Sequence, residues 1–224
     1  MTNPAPDRRE RRNRWQRLRW SCYAPVYDLF VGLHRQRRRS LVLLDLKPGE
    51  RALIVGAGTG TDVPHIPPAV QVLVTDLTPA MLARARRHAR PGIEFAVMDA
   101  QHLELPDGSF DAVVLHLVLG VVADAPACLR EAARVLRPDG RIAVFDKFLG
   151  EGLRASWLRR LADLGTRALA TSINRRMGDI LAASTAGLVV AHDEPALLGG
   201  FFRTILLRKP GPLTSAATGA GTRA

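Results

Sequence analysis

The sequence predicts a single α/β domain: a doubly wound, mostly parallel sheet with an antiparallel C-terminal edge strand and an N-terminal helical cap. Three observations predict it. Short apolar runs at 51–55, 70–75, 93–97, 110–115 and 141–146 alternate with segments of helical periodicity, the pattern of successive βαβ units. A turn carrying three glycines, Val55-Gly56-Ala57-Gly58-Thr59-Gly60-Thr61-Asp62, follows the first run directly. Asp76 ends the second run, sixteen residues beyond Gly60. In an open sheet of this kind, glycines admit a nucleoside to the backbone, and an acid at the end of the next strand takes the ribose hydroxyls.

The elements follow in order. Residues 1–12 form a basic, disordered arm, and the folded domain runs from 13 to 209. Residues 13–44 read as helix, broken near Pro25, with Trp15, Leu18 and Cys22 on one face and Val26, Phe30 and Leu33 on a second. Arginines fill the gaps, the composition of a helix lying at a membrane interface. After the strands at 51–55 and 70–75 comes a helix over Pro79–Ala89, with Thr78 as its N-cap and Pro79 in its first turn. A second helix covers Pro126–Leu136, and Pro138-Asp139-Gly140 turns the chain into the strand at 141–146. Leu153, Trp157, Leu161, Leu164 and Ala168 then recur at helical spacing among arginines, a second basic amphipathic helix. Strands over Leu188–Ala191 and Phe202–Leu207, separated by a loop from Asp193 to Gly200, suit an antiparallel pair at a sheet edge. From Pro210 the chain is Gly, Ala, Thr, Ser and Pro, a disordered tail.

Charge is unevenly placed. The formal net charge is +11 and the pI about 11.1. Residues 1–40 hold eleven arginines against Asp7, Glu10 and Asp28, which leaves the body nearly neutral. Such an arm suits anionic lipid headgroups or nucleic acid. Cys22 and Cys128, far apart and without metal-ligand spacing, predict free thiols in a reducing compartment. The N-terminus has no apolar stretch of the signal-peptide kind, and the longest apolar run, Val113–Ala123, is too short to span a bilayer. These features predict a cytoplasmic protein, peripheral on the inner face of the membrane at most. The six histidines show no ligand spacing, so no metal is expected.

Taken alone, the glycine turn admits three readings: a structural turn, a dinucleotide site with a degenerate third position, or another nucleoside site. The dinucleotide fingerprint is G-x-G-x-x-G/A, whereas here Gly56-x-Gly58-x-Gly60 is followed by Thr61. Further blocks bear on the choice. Thr75-Asp76-Leu77-Thr78-Pro79-Ala80-Met81-Leu82, Met98-Asp99-Ala100-Gln101-His102-Leu103-Glu104-Leu105-Pro106, Ser109-Phe110-Asp111-Ala112-Val113 and Arg134-Val135-Leu136-Arg137-Pro138-Asp139-Gly140-Arg141 succeed one another over 51–146. Together with the glycine turn they resemble class I S-adenosylmethionine (SAM) methyltransferases, which are Rossmann-like. The resemblance implies SAM as cofactor, held by Gly56, Ala57, Gly58 and Gly60, by Asp76 at the ribose with Leu77 and Met81 beside it, and by Asp99 at the adenine amino group with Ala100. Many such enzymes carry an acid two residues before the first glycine, at the methionine end. Ile54 stands there, so Asp62 or a backbone carbonyl is expected to take that contact.

Tyr23-Ala24-Pro25-Val26-Tyr27-Asp28 resembles the N-terminal segment of bacterial phosphatidylethanolamine N-methyltransferases and of ubiquinone/menaquinone C-methyltransferases. In those groups a tyrosine closes over the SAM pocket, which points to Tyr23 or Tyr27. The two basic helices favour the phospholipid group, with methylation of a quinone or another small molecule as the alternative. His116, just past the fourth strand, is the candidate base or acceptor for the nucleophile's proton, with Tyr23 and Tyr27 next. Lys147 and Arg203 are candidates for a lipid phosphate. Nucleic acid is the less favoured partner, because Leu115-His116-Leu117-Val118-Leu119-Gly120 stands where an Asn/Asp-Pro-Pro-Tyr/Phe motif would be expected. A non-catalytic SAM-binding role is a further alternative, and the chain is expected to be monomeric.

Overall fold

The computed structural model describes residues 33–149 and 175–211. The arm, Cys22, Tyr23, Tyr27, the first part of the expected N-terminal helix and the basic helix expected over Leu153–Ala168 lie outside the described residues, as does the tail from 212 onward.

Seven strands make one sheet: β1 (Arg51–Val55), β2 (Gln71–Asp76), β3 (Ile93–Val97), β4 (Phe110–His116), β5 (Leu136–Lys147), β6 (Val189–Leu197) and β7 (Phe202–Arg208). Their spatial order is β3-β2-β1-β4-β5-β7-β6. The first five run parallel, and β7 lies antiparallel to both β5 and β6. The described helices are α1 (His34–Val42), α2 (Pro79–Ala85), α3 (Ala125–Val135) and α4 (Met177–Ser184). Strand order reverses between β1 and β4, and in open α/β sheets a ligand cleft opens at such a switch point.

Both faces of the sheet are covered, which is why its strands read as continuous apolar runs. The period of two divides each strand between two cores. Ala52, Ile54, Val72, Val74, Ala112 and Val114 pack on one face with Leu41 and Leu44 at the end of α1, Val63 and Ile66 after the glycine turn, and Leu82 of α2. Leu53, Val55, Val113, Leu115, Ile142 and Val144 pack on the other with Leu129 and Ala132 of α3 and Ile180 of α4. Helix α3 starts where its sequence directs: the Asp124 carboxylate accepts from the Ala127 amide at 2.9 Å, and Pro126 occupies the first turn. Cutting the fully buried Leu129 back to Ala would cost about 2–5 kcal/mol.

Four expectations change in detail. The antiparallel strand is β7, but it is inserted between β5 and β6, so the sheet ends on β6. β6 runs on to Leu197 where a loop from Asp193 was expected, because Asp193, Glu194 and Pro195 pair with Ile205, Thr204 and Arg203. The helix after Thr78 is α-helical only to Ala85 and tightens to a 3₁₀ turn over Arg86–His88. The Pro138–Gly140 turn lies inside β5: Asp139 is left-handed (φ 61°), its amide donates to the Lys209 carbonyl, and the register on β4 jumps from Phe110–Leu136 to Ala112–Arg141.

Candidate active site

The glycine turn leaves β1 with Gly56, Gly58 and Gly60 all at positive φ (64°, 57° and 80°). Glycine is needed at Gly56 for space as well as conformation: a Cβ there would lie 2.6 Å from Cγ2 of Val118. At Gly60 it would lie 2.9 Å from the Ala85 Cβ of α2. Two bonds fasten the turn to the end of β2, and a third fixes the Asp76 carboxylate from the residue that starts α2. The Ala57 amide donates to the Thr75 carbonyl at 2.9 Å, the Gly58 amide to Asp76 Oδ2 at 2.8 Å, and the Thr78 amide to Asp76 Oδ1 at 2.8 Å. Burial pushes the Asp76 carboxyl above the usual carboxylate range, against the pull of the Thr78 and Gly58 amides.

These residues wall one side of a cleft at the C-terminal ends of the strands. Of the residues expected at a cofactor, the cleft brings together Gly56, Gly58, Asp76, Leu77, Met81, Asp99 and Ala100. Asp99 Oδ1 accepts from the Gln101 backbone amide (2.9 Å) and side-chain amide (3.0 Å), and Gln101 Oε1 accepts from the Asp124 amide at the start of α3 (2.8 Å). Thr78, Met98 and Gln101 also line the cleft. They sit inside the sequence blocks around Asp76 and Asp99, so their positions were legible although their roles were not.

The opposite wall went unread: Leu117, Val118, Val121 and Val122, the segment after β4. Its only signal was an apolar run, Val113–Ala123, too long for one strand. Leu117 holds a left-handed conformation (φ 58°), with its amide donating to the Phe145 carbonyl at 2.8 Å. Asp146 at the end of β5 accepts the Gly120 amide at 2.8 Å. Arg175 donates to the carbonyls of Leu119 and, at 2.7 Å, Val122. The segment is thus held through its amides from one side and its carbonyls from the other.

Ala57, Gly60, Asp62 and His116 do not line the cleft. His116 is the last residue of β4, and its side chain is 1% exposed. Its Nδ1 lies 2.8 Å from Asp62 Oδ1 and its Nε2 2.9 Å from Ser40 Oγ of α1. Asp62 Oδ2 accepts from Arg37 Nη1 at 2.7 Å. Burial raises the Asp62 carboxyl, but His116 and Arg37 outweigh it and hold the group below the usual carboxylate range. Both Asp62 oxygens are therefore engaged away from the cleft, and both His116 nitrogens are bonded. Ile54, at the position where an acid was expected, is a core residue. Arg203 is tied to Asp193 at 2.7 Å. Burial lowers the Lys147 ammonium, opposed by Asp146. Cys128 is a buried residue of α3, its thiol pushed up to about 12 by burial. Among the described residues no group of His, Cys, Asp and Glu could hold a metal ion.

Residues 53–144 match the family described as "Methyltransferase domain". The matched span contains the glycine turn, Asp76, Asp99 and the segment after β4. In structure the chain resembles the methyltransferase bound to the Trm112 activator of Haloferax volcanii (TM-score 0.73, 17% identity, 88% of this chain and 98% of that one). It also resembles a SAM-dependent methyltransferase, possible histamine N-methyltransferase, of Thermotoga maritima (TM-score 0.62, 20% identity, 85% and 98%). In sequence the chain is 42% identical over 118 residues to a demethylmenaquinone methyltransferase of Beutenbergia cavernae, covering 52% of this chain and 49% of that protein. It is 34% identical over 137 residues to a phosphatidylethanolamine N-methyltransferase of Cereibacter sphaeroides, covering 58% and 65%. The demethylmenaquinone name recurs in relatives from Paenarthrobacter aurescens and Thermus thermophilus. The chain spans about half the length of the Beutenbergia and Paenarthrobacter relatives it matches.

The fold is that of SAM-dependent methyltransferases, and the residues present fit that cofactor. Gly56 and Gly58 line the same cleft as the carboxylates of Asp76 and Asp99, which follow successive strands.

Proposed function

We propose that this protein transfers a methyl group from SAM to a lipophilic small-molecule acceptor. The observation that carries the reading is the contrast across the cleft. One side offers glycine backbone and two carboxylates, and the other is the apolar wall of Leu117, Val118, Val121 and Val122. The sulfonium of SAM supplies a methyl group already activated for transfer. Asp76 would receive the ribose hydroxyls and Asp99 the adenine edge, while the apolar wall would exclude water and hold the acceptor toward the methyl group. The titratable side chains lining the cleft among the described residues are Asp76 and Asp99, so the wall contributes placement and dryness.

The names of the relatives favour carbon methylation of a prenylated quinol ring, ahead of the phospholipid headgroup that the basic helices first suggested. The phospholipid reading has its own support in the Cereibacter relative and in the arginines of the first forty residues. On either reading the acceptor resides in a membrane. Exposed Arg35 and Arg38 of α1 continue the basic run toward an anionic surface, and no described helix is long and apolar enough to cross a bilayer.

The test is incubation of the protein with methyl-labelled SAM and a total lipid extract, followed by identification of the labelled species. Label in a prenylated quinol is expected. Label in an ethanolamine headgroup would decide for the phospholipid, and transfer to neither would overturn the lipophilic-acceptor reading.

A further inference from the structure

Arg37, Ser40, Asp62 and His116 come from three separate parts of the chain and are each at most 3% exposed. Asp62 stands two residues beyond Gly60, at the exit of the glycine turn. His116 immediately precedes Leu117 and Val118, the start of the apolar wall. Arg37 and Ser40, one turn apart on α1, reach both. The chain His116–Asp62–Arg37, with Ser40 on the far imidazole nitrogen, therefore joins the exit of one cleft wall to the root of the other, through a helix that touches neither ligand side.

Stability is a weak explanation for this cluster. Burying an arginine and a carboxylate costs several kcal/mol of hydration for each ion, and well-packed apolar side chains do as well or better. Arg37 is not even used fully: Nη1 binds Asp62, while the buried Nε has no partner. What such a cluster supplies is a fixed geometry, and the geometry at stake is tight. Gly56 and Val118 face each other across the two walls with no room for a methyl group between them.

We propose that Arg37, Ser40, Asp62 and His116 are a positioning cluster through which helix α1 sets the spacing of the glycine turn against the segment after β4, so that cofactor affinity is governed from outside the cleft. The proposal rests on the SAM reading above. It assigns His116 a positioning role, since its side chain does not reach the cleft. Because Arg37 acts through one donor and its charge, lysine should replace it. Because its charge answers Asp62, neutralising both together should restore what removing one destroys.

Binding of S-adenosylhomocysteine, measured by titration calorimetry on the full chain with a thermal melt of each variant, tests this. Arg37→Met is expected to weaken binding about tenfold or more at temperatures where the variant is folded. Arg37→Lys should stay within about threefold of wild type, and Arg37→Met combined with Asp62→Asn should recover most of the loss. With transfer as readout, KM for SAM should rise more than kcat falls. A variant Arg37→Met that melts lower yet binds the ligand as wild type does would overturn the proposal, leaving the cluster a structural filler. If Arg37→Met does not fold, Ser40→Ala carries the test: binding about threefold weaker supports it, and unchanged binding overturns it. Failure of the wild type itself to bind the ligand would count against the SAM reading. The cluster is then judged by amide exchange, where faster exchange at Gly58, Gly60 and Val118 in Ser40→Ala is expected and unchanged exchange overturns it.

Discussion

Asp62 and Asp76 lie at the same end of the sheet, yet the molecule treats them in opposite ways. Burial pushes both carboxyls toward the neutral form. At Asp62, His116 and Arg37 outweigh that push; at Asp76, the amides of Thr78 and Gly58 do not. Asp62 is satisfied by side chains and walled off. Asp76 is held by the loop it organises and keeps a face toward the cleft. A carboxylate answered by buried side chains maintains architecture, and one answered by loop amides remains available to a ligand.

The largest test of this contrast is Asp62→Ala. It leaves Arg37 buried without a counter-charge, so chemical denaturation should show a loss of about 3–5 kcal/mol. Asp76→Asn should do the reverse, with stability little changed and binding of S-adenosylhomocysteine weakened about tenfold, or roughly 1–2 kcal/mol, as a charge-assisted bond is lost. Equal destabilisation by the two substitutions would dissolve the distinction. Acid separates them further. Asp62 has a folded-state pKa below its ordinary 3.8, so its contribution is present above that value and is lost as pH falls below it. Asp76 is raised, so the folded state takes up its proton first and falling pH adds stability from that group. Urea melts between about pH 5 and pH 2 should therefore show a shallower acid limb for Asp62→Asn than for wild type. The smallest effect belongs to the pair that joins α1 to β6, Arg39 with Glu194 at 2.7 Å. The Arg39 side chain is 66% exposed, and Glu194→Gln should cost no more than about 1 kcal/mol.

What could be read in the sequence was local. The strand before the glycines falls where its apolar run placed it, because a strand buried on both faces announces itself residue by residue, and the half-exposed edge strand at Ile93–Val97 also falls where it was placed. Gly56, Gly58 and Asp76 were legible because the turn and the strand end lie within one βαβ unit. Long-range pairing left no such trace. Nothing around Arg37 marks it as the partner of a residue 25 positions away, or around His116 as the partner of one 54 positions away. In the sequence Arg37 is one arginine among four in α1, and only folding makes it the buried one. Arg175 was missed for the same reason, since its acceptors are carbonyls more than fifty residues earlier.

The outermost strand carries a further consequence. Among the described residues no strand pairs with the outer side of β6, which exposes Val189 and Val190, each at 50%, on a rim of the kind that recruits foreign strands. Yet its ladder with β7 slips at Val190/His192 and again at Pro195/Leu197, and between the slips stand Asp193, Glu194 and Pro195, the last with no amide hydrogen to offer. A straight strand laid against this rim would meet a kinked, charged and partly donor-less partner. The inserted β7 thus moves the sheet's outer boundary onto a stretch of chain poorly suited to polymerisation.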